Sequence, residues 1–423
     1  MKIERLKGTK EYFPEEQILR EKIVEVLKEK FRRYGYLPIE TSILDFYDIA
    51  IKKYGGGEII KEIYRLKDRG GRNLCLRYEL TFKLAKFLAM NQQIRMPFKR
   101  YEIGKVFRDG PVKKGRLREF TQCDVDCIGI KENWIDAEFM ALTFDIFKEL
   151  GLDIVVKVND RKFLFGLMEE LGIKNPAEVV LSLDKLDKYG KEYVMKELEE
   201  KIDKKAIEKI FYFFDKVENL KTQAKIEFFK KVLKNEEAKK GIEEIENFFY
   251  FCKVYGLKKD IEFVPTLARG LAYYDGIIWE VYLKKGLKSS LAAGGRWDGM
   301  ITKFLKKQSY AVGMSFGLDT IFEALKEKKV KKPIALIIPI NTLEECIKIA
   351  QKLRKYFNVD ICNKTLSKAL EYADKEKIPF CLIVGKKEIK DKKIRLKFMD
   401  SGKEKLLSIN DTIKTLSKLF QKI

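Results

Sequence analysis

Apolar positions in the first 150 residues change period several times, and each change predicts an element. Between residues 15 and 33, Ile18, Ile23, Val24, Val26, Leu27 and Phe31 recur at helical spacing, and Gly35 ends the run. Residues 36–41 read as a short strand, and Gly55, Gly56 and Gly57 mark a loop. Residues 64–66 and 73–77 read as the arms of a hairpin around KDRGGR. Helix returns over 81–90. Two long strands follow, 98–107 and 118–130, joined by a loop at 109–115 rich in Gly, Pro and Lys, and 136–150 is helical again.

The texture then changes. Residues from about 160 to 255 are rich in Lys, Glu and Phe, poor in Gly and Pro and helical in period, which predicts an inserted helical domain. Residues 263–325 return to strand, glycine-rich turn, strand and helix. After the basic spacer 326–332, strand candidates at 334–339, 359–362, 380–384 and 394–398 alternate with helices, the last at 412–418. That alternation predicts a mostly parallel or mixed sheet. The expected division is a core of residues 1–160 and 256–325, a helical insertion of 161–255 and a C-terminal α/β module of 331–423.

Composition narrows the possible partners. The longest apolar runs, such as 334–340, are too short to span a bilayer, and the opening MKIERLKGTKEYF has no apolar h-region. The expectation is a cytoplasmic chain with no membrane partner. Seven scattered cysteines contain no C-x-x-C pair, which predicts buried or half-buried free thiols and no structural zinc. Net charge is +23, and residues 331–423 hold 22 Lys and Arg against 11 Asp and Glu. A basic C-terminal module reads as a nucleic-acid contact surface. The chain has no histidine. Ser-His-Asp and Cys-His arrangements, H-E-x-x-H metal sites and an imidazole general base are all excluded.

Candidate chemistry concentrates in RYEIGKVFRDGPVKKGRLREFTQCDVDCIG, residues 100–129. Arg108 leaves the first strand and Arg116 and Arg118 return on the second, so three guanidiniums are expected to converge over one turn, where they suit phosphate oxygens. Gln122, Asp124 and Asp126 alternate with Thr121, Cys123 and Val125, which puts three polar groups on one strand face. Arginines at one end and acceptors at the other suit a molecule with a phosphate end and an amine end; an exposed hairpin laced with salt bridges has the same pattern. In LRYELT, residues 76–81, alternation is expected to place Arg77, Glu79 and Thr81 on one face, with Thr81 as a capping residue for the next helix. LARGLAYYDG, residues 267–276, carries Arg269 and the pair Tyr273–Tyr274, either an aromatic wall with polar tips or simple core packing.

Together these stretches resemble the class II aminoacyl-tRNA synthetases, in their histidyl branch. R-x-E-x-x-x-V-F-R, a loop and G-R-x-R-E-F-x-Q-x-D look like motif 2. AVGMSFGLD, residues 311–319, looks like motif 3, and residues 8–16 with the helix and strand after them look like the opening and motif 1. VNDRK, residues 158–162, is similar to the start of the family's insertion, and residues 368–388 are similar to its anticodon-binding domain. The resemblance implies an α/β fold class: an α+β core with the class II antiparallel sheet flanked by helices, a helical insertion and a C-terminal α/β anticodon-binding domain. It implies a histidine–tRNA ligase acting on histidine, ATP with Mg2+ and tRNA(His), working as a homodimer, with no tightly bound protein metal. Arg108 and Arg269 would be catalytic at the α-phosphate. Glu79, Thr81, Arg108, Gln122, Asp126, Tyr273 and Tyr274 would hold histidine, and Arg108, Arg116, Phe120 and Arg269 would hold ATP.

Four positions depart from the family pattern: Thr320 replaces an arginine after motif 3, Ala272 interrupts R-G-L-D-Y-Y, Trp297 replaces a tyrosine in G-G-R-Y-D-G, and Ser42 replaces a proline. The competing reading is a catalytically silent relative that binds histidine and regulates another enzyme. Retention of Arg108, Arg269, Gln122, Glu79 and the C-terminal module argues for the ligase.

Overall fold

The computed structural model describes residues 3–54, 58–112, 117–269, 273–327 and 334–420. Gly55–Gly57, Arg116 and Ala272 therefore lie outside the described residues. The chain divides into two compact units, one of residues 1–11 and 22–325, the other of residues 12–21 and 326–423.

The strands of the first unit are β1 (Leu37–Pro38), β2 (Leu44–Phe46), β3 (Arg65–Lys67), β4 (Asn73–Leu76), β5 (Phe98–Phe107), β6 (Glu119–Ile128), β7 (Ile154–Asp160), β8 (Ile261–Phe263), β9 (Ile277–Leu283), β10 (Ala292–Arg296) and β11 (Ala311–Gly317). Eight of them form one sheet in the order β1-β5-β6-β11-β10-β9-β7-β8. Its interior pairs are antiparallel and only the edge pairs β1–β5 and β7–β8 are parallel. The expected strand at 36–41 shrinks to β1. The expected hairpin at 64–77 gains β2 and becomes the three-stranded sheet β2-β4-β3.

Helix Trp134–Leu150 covers the large sheet because Phe139 and Phe147 project onto it, their rings 5.9 Å from those of Trp279 and Phe316. It stops at Gly151, which takes the left-handed conformation (φ 65°) that favours glycine. A buried ion pair, Arg296 to Asp136 at 2.7 Å, joins β10 to this helix. Helices from Arg161–Glu170 to Glu236–Val254 enclose their own core around Phe163, Leu167, Phe229 and Ile245. The first and last pack so closely that a Cβ on Gly241 would stand 2.3 Å from the Phe163 nitrogen.

The second unit holds β12 (Ile334–Ile340), β13 (Asn358–Ile361), β14 (Phe380–Gly385), β15 (Lys393–Phe398) and β16 (Glu404–Ser408), in the order β13-β12-β14-β15-β16. β13, β12 and β14 are parallel, and β15 and β16 are antiparallel additions, so the sheet is mixed. Apolar side chains on both faces of β12 and β14 account for their uninterrupted hydrophobic runs. All seven cysteines are buried and unbridged. No helix among the described residues is long and apolar enough to cross a membrane.

Candidate active site

The large sheet carries a cavity of about 310 Å³ above β6, β10 and β11. On β6, Gln122, Asp124 and Asp126 share a face, as their alternation predicts. The register sets Gly317, Ser315 and Gly313 of β11 beside them on one flank, and Gly104, Glu102 and Arg100 of β5 on the other. Gln122 donates from Nε2 to Ser315 Oγ at 3.1 Å. Asp126 forms an ion pair with the fully buried Arg100 at 2.8 Å. Burial pushes the Asp126 carboxyl up to about 7, against the pull of Arg100 and with help from Glu79 and Glu102. Gln122 and Asp126 line the cavity; Asp124 lies between them, beneath its surface.

Glu79 and Thr81 enter from the segment after β4. Glu79 accepts hydrogen bonds from the Thr81 and Phe82 backbone N–H groups at 2.7 and 2.6 Å, so it is Glu79 that caps helix Thr81–Met90. The expectation that Thr81 is the cap is corrected: Thr81 is the first helical residue and its own N–H needed an acceptor. Burial raises the Glu79 pKa, and the Phe82 and Thr81 donors oppose it. Arg77 is corrected too. It does not line the cavity, but pairs with Glu102 at 2.9 Å and donates to the Lys105 and Thr41 carbonyls. Two carbonyls and a buried carboxylate satisfy its guanidinium there.

Arg108 follows β5 and lines the same cavity. Its Nε donates to the Tyr78 carbonyl at 3.2 Å, and its guanidinium lies over the rings of Tyr78 (4.3 Å) and Phe120 (5.0 Å). Of the three guanidiniums expected to converge, Arg116 lies outside the described residues. Arg118 turns away to Asp109 (3.4 Å) and the Gly110 carbonyl, leaving Arg108 as the one of the pair that reaches the cavity.

Arg269 enters beside the tyrosines. It donates to the Trp279 carbonyl at 3.3 Å, faces Glu280 at 3.7 Å and lies 5.2 Å from the Tyr274 ring centre. Tyr273 and Tyr274 stand with ring centres 4.7 Å apart, and buried Trp297 closes the wall next to them. The VNDRK stretch positions this arginine. Asn159 donates to the Pro265 and Leu267 carbonyls at 2.9 and 2.8 Å, and Arg161 donates to the Arg269 carbonyl at 3.0 Å. Asp160 caps the helix that begins there. Thr320, where the family pattern has an arginine, bonds back to the Gly317 carbonyl at 2.9 Å.

Glu79, Thr81, Arg108, Phe120, Gln122, Asp126, Arg269, Tyr273 and Tyr274 thus surround one cavity. Sequence reasoning missed Arg100, Glu280 and Ser315. Ser315 was legible in principle, as the polar member of an otherwise apolar and glycine strand. Carboxylates, an amide, two guanidiniums and aromatic rings line it together, with Arg108 acting on Glu79 and Arg269 facing Glu280.

A family profile described as "Histidyl-tRNA synthetase" matches residues 8–321, about three quarters of the chain, and spans every element of this site. The chain belongs to the histidyl-tRNA synthetase family. A second profile, described as "Anticodon binding domain", matches residues 335–419. Histidine–tRNA ligase 1 of Bacillus anthracis is 43% identical over 417 residues, 96% of this chain and 97% of that protein. A crystal structure of histidyl-tRNA synthetase from Nostoc sp. PCC 7120 superposes with a TM-score of 0.83 at 25% identity, covering 99% of both chains. A structure titled as an ATP phosphoribosyltransferase regulatory subunit/histidyl-tRNA synthetase, from Bacillus halodurans C, shares the fold at 21% identity. Its TM-score is 0.76, over 90% of this chain and 98% of that one. The antiparallel core sheet flanked by helices and the C-terminal α/β unit are the architecture expected of the family.

Proposed function

We propose that this protein is a histidine–tRNA ligase, joining histidine to tRNA(His) at the expense of ATP. The observation that carries the reading is the cavity itself, in which acceptors Glu79, Gln122 and Asp126, the guanidiniums of Arg108 and Arg269 and the rings of Phe120, Tyr273 and Tyr274 line one space. Histidine binds with its ammonium group at Glu79 and Thr81, its ring among Gln122, Asp126, Tyr273 and Tyr274, and its carboxylate towards Arg108. ATP lies with its α-phosphate between Arg108 and Arg269, its adenine against Phe120 and its outer phosphates near Arg116, and brings Mg2+ with it as a substrate complex.

A carboxylate oxygen of histidine attacks the α-phosphorus, pyrophosphate leaves, and the two guanidiniums stabilise the charge that builds on the phosphoryl oxygens. A hydroxyl at the tRNA 3′ end then attacks the acyl carbon and releases AMP. Neither step calls on a histidine side chain, and the chain has none.

The same reading assigns residues 1–160 and 256–325 to the catalytic core, 161–255 to the helical insertion and 331–423 to anticodon binding. It places the protein in the cytoplasm as a homodimer. Exposed Leu37, Ile43, Leu44, Phe46, Ile49 and Leu66, grouped in the segment of β1 to β3, support a second copy as the cover. The test is ATP–pyrophosphate exchange with each of the twenty amino acids, followed by charging of tRNA(His). Exchange stimulated by histidine is expected; no response to histidine overturns the proposal.

A further inference from the structure

The floor of the cavity holds more negative charge than the chain itself neutralises. Four carboxylates meet there: Glu79, Glu102, Asp124 and Asp126, each at most 2% exposed. Arg108 acts on Glu79, Arg77 binds Glu102 at 2.9 Å, and Arg100 lies 2.8 Å from Asp126 and 3.8 Å from Glu102. Among the described residues Asp124 has no ion pair within 4 Å, and Arg100 acts on it only at longer range. Asp124 sits across from Glu102 on one side and Ser315 on the other, with Asp126 two residues along the same face. Its support is a hydrogen bond from Ser315, whose oxygen in turn accepts from Gln122.

Three acceptors of the row, Gln122 Oε1, Asp124 Oδ1 and Asp126 Oδ2, are buried without a hydrogen-bond partner among the described residues, although Asp126 Oδ2 faces Arg100 as an ion pair. A buried acceptor without a donor is costly, and a buried carboxylate without a cation keeps its proton. Burial and the neighbouring Asp126 raise the Asp124 pKa well above the ordinary range, against Arg100. β11 contributes no titratable group to this row; Tyr274 faces it from the cavity wall, and Tyr36 and Cys127 lie within electrostatic reach of Asp126.

We propose that Asp124 and Asp126 hold one proton between them in the free enzyme and pass it to the ring of the bound substrate, so that histidine is held as an imidazolium and Asp124 is a further specificity residue. The transfer balances: an O–H bond of the pair breaks, an N–H bond forms at the ring nitrogen, and the total charge in the cavity is unchanged. The ring then offers two N–H donors to a floor that presents acceptors, and the pair becomes fully ionised beside a cation. A neutral ring of the same shape, such as a phenyl or thienyl group, takes no proton and leaves those acceptors unpaired. The inference rests on the reading that this cavity is the histidine site.

The test is nuclear magnetic resonance of histidine labelled with 15N in its ring, bound to the intact enzyme. Every ring signal belongs to the ligand, because the chain contains no histidine. At about pH 8, where a free ring with its pKa near 6.5 is neutral, the bound ring is expected to carry protons on both nitrogens. In Asp124→Asn the bound ring should be neutral at the same pH. A neutral ring in the unmodified enzyme, or an equally protonated ring in both proteins, overturns the inference. Ser315→Ala gives an independent reading: Asp124 loses its hydrogen bond and keeps its proton more tightly. The pH at which the bound ring deprotonates should fall, and an unchanged midpoint counts against the pair. Histidine binding untouched by Tyr274→Ala would overturn the cavity assignment beneath it.

Discussion

Gly313 stands directly across the β6–β11 ladder from Asp126, and a Cβ on it would lie 1.8 Å from Asp126 Oδ1. The absence of a side chain at this position therefore sets where the carboxylate rests. Gly313→Ala is expected to push Asp126 out of register with Gln122 and raise the KM for histidine about tenfold or more. The strain is about 1–3 kcal/mol, the usual range for overpacking a tight interior. Steady-state exchange kinetics with histidine varied at saturating ATP check it; an unchanged KM would mean that Asp126 does not meet the substrate.

Arg269 reaches its place by a backbone acceptor, an acidic neighbour and an aromatic face, all suited to a flat guanidinium. Lysine keeps the charge and loses the fork. Arg269→Lys should therefore lower kcat for adenylate formation by about a hundredfold, the scale expected when one stabilising donor is lost from a transition state. The KM for histidine should move little. A large rise in KM with kcat preserved would make Arg269 a ground-state binding group instead.

The Arg296–Asp136 bridge is buried at both ends and joins β10 to the helix behind the sheet. Asp136→Ala leaves the buried guanidinium with only the more distant Asp298, at 3.8 Å, at a cost towards the lower end of about 3–5 kcal/mol. The change should appear as a lower urea midpoint with the slope retained. Pairing it with Arg296→Met should restore part of the loss, since the stranded charge is then gone.

Two carboxyls give stability a defined pH dependence. Burial pushes Asp298 up to about 7 against Arg296, and pushes Asp126 to about the same value. The native chain therefore keeps protons that an unfolded chain sheds just above its ordinary value of 3.8. Through these groups, stability falls as pH rises from about 4 to about 7 and then levels. Glu197 acts in the opposite sense: despite some desolvation, hydrogen bonds from Lys185 and Lys201 bring it to about 2, so its contribution is lost only at lower pH. The urea midpoint should be higher near pH 5 than near pH 8, and Asp298→Asn should narrow that gap. An unaltered gap would refute the assignment.

Much of this was legible in the chain because the relevant signals are local. Alternation over 98–107 and 119–128 marks β5 and β6, and the helical period of 161–255 marks the helices from Arg161–Glu170 to Glu236–Val254. β7, β8 and β16 were not legible. β8 has three residues and pairs with β7 across the whole insertion, and β16 carries exposed lysine and glutamate at an edge. The cavity residues stand out because they fall in spaced motifs of unlike types. Arg77 and Arg118 were misplaced because spacing cannot say which carbonyl or carboxylate captures a guanidinium. The charged floor under the cavity was hidden for a related reason. Arg100 and Glu102 on an alternating strand look like a solvated face, and only the register with β6 shows them enclosed.

The three residues from the end of β7 to the first helical residue after it, Asn159 to Arg161, also have a mechanical role. Asn159 and Arg161 grip the Pro265, Leu267 and Arg269 carbonyls, while Asp160 anchors the helix that follows. That helix is locked against the last one of the insertion at Gly241. A force applied to the inserted helices is therefore delivered through a short lever to the backbone carrying Arg269, and the insertion acts as a handle on the site.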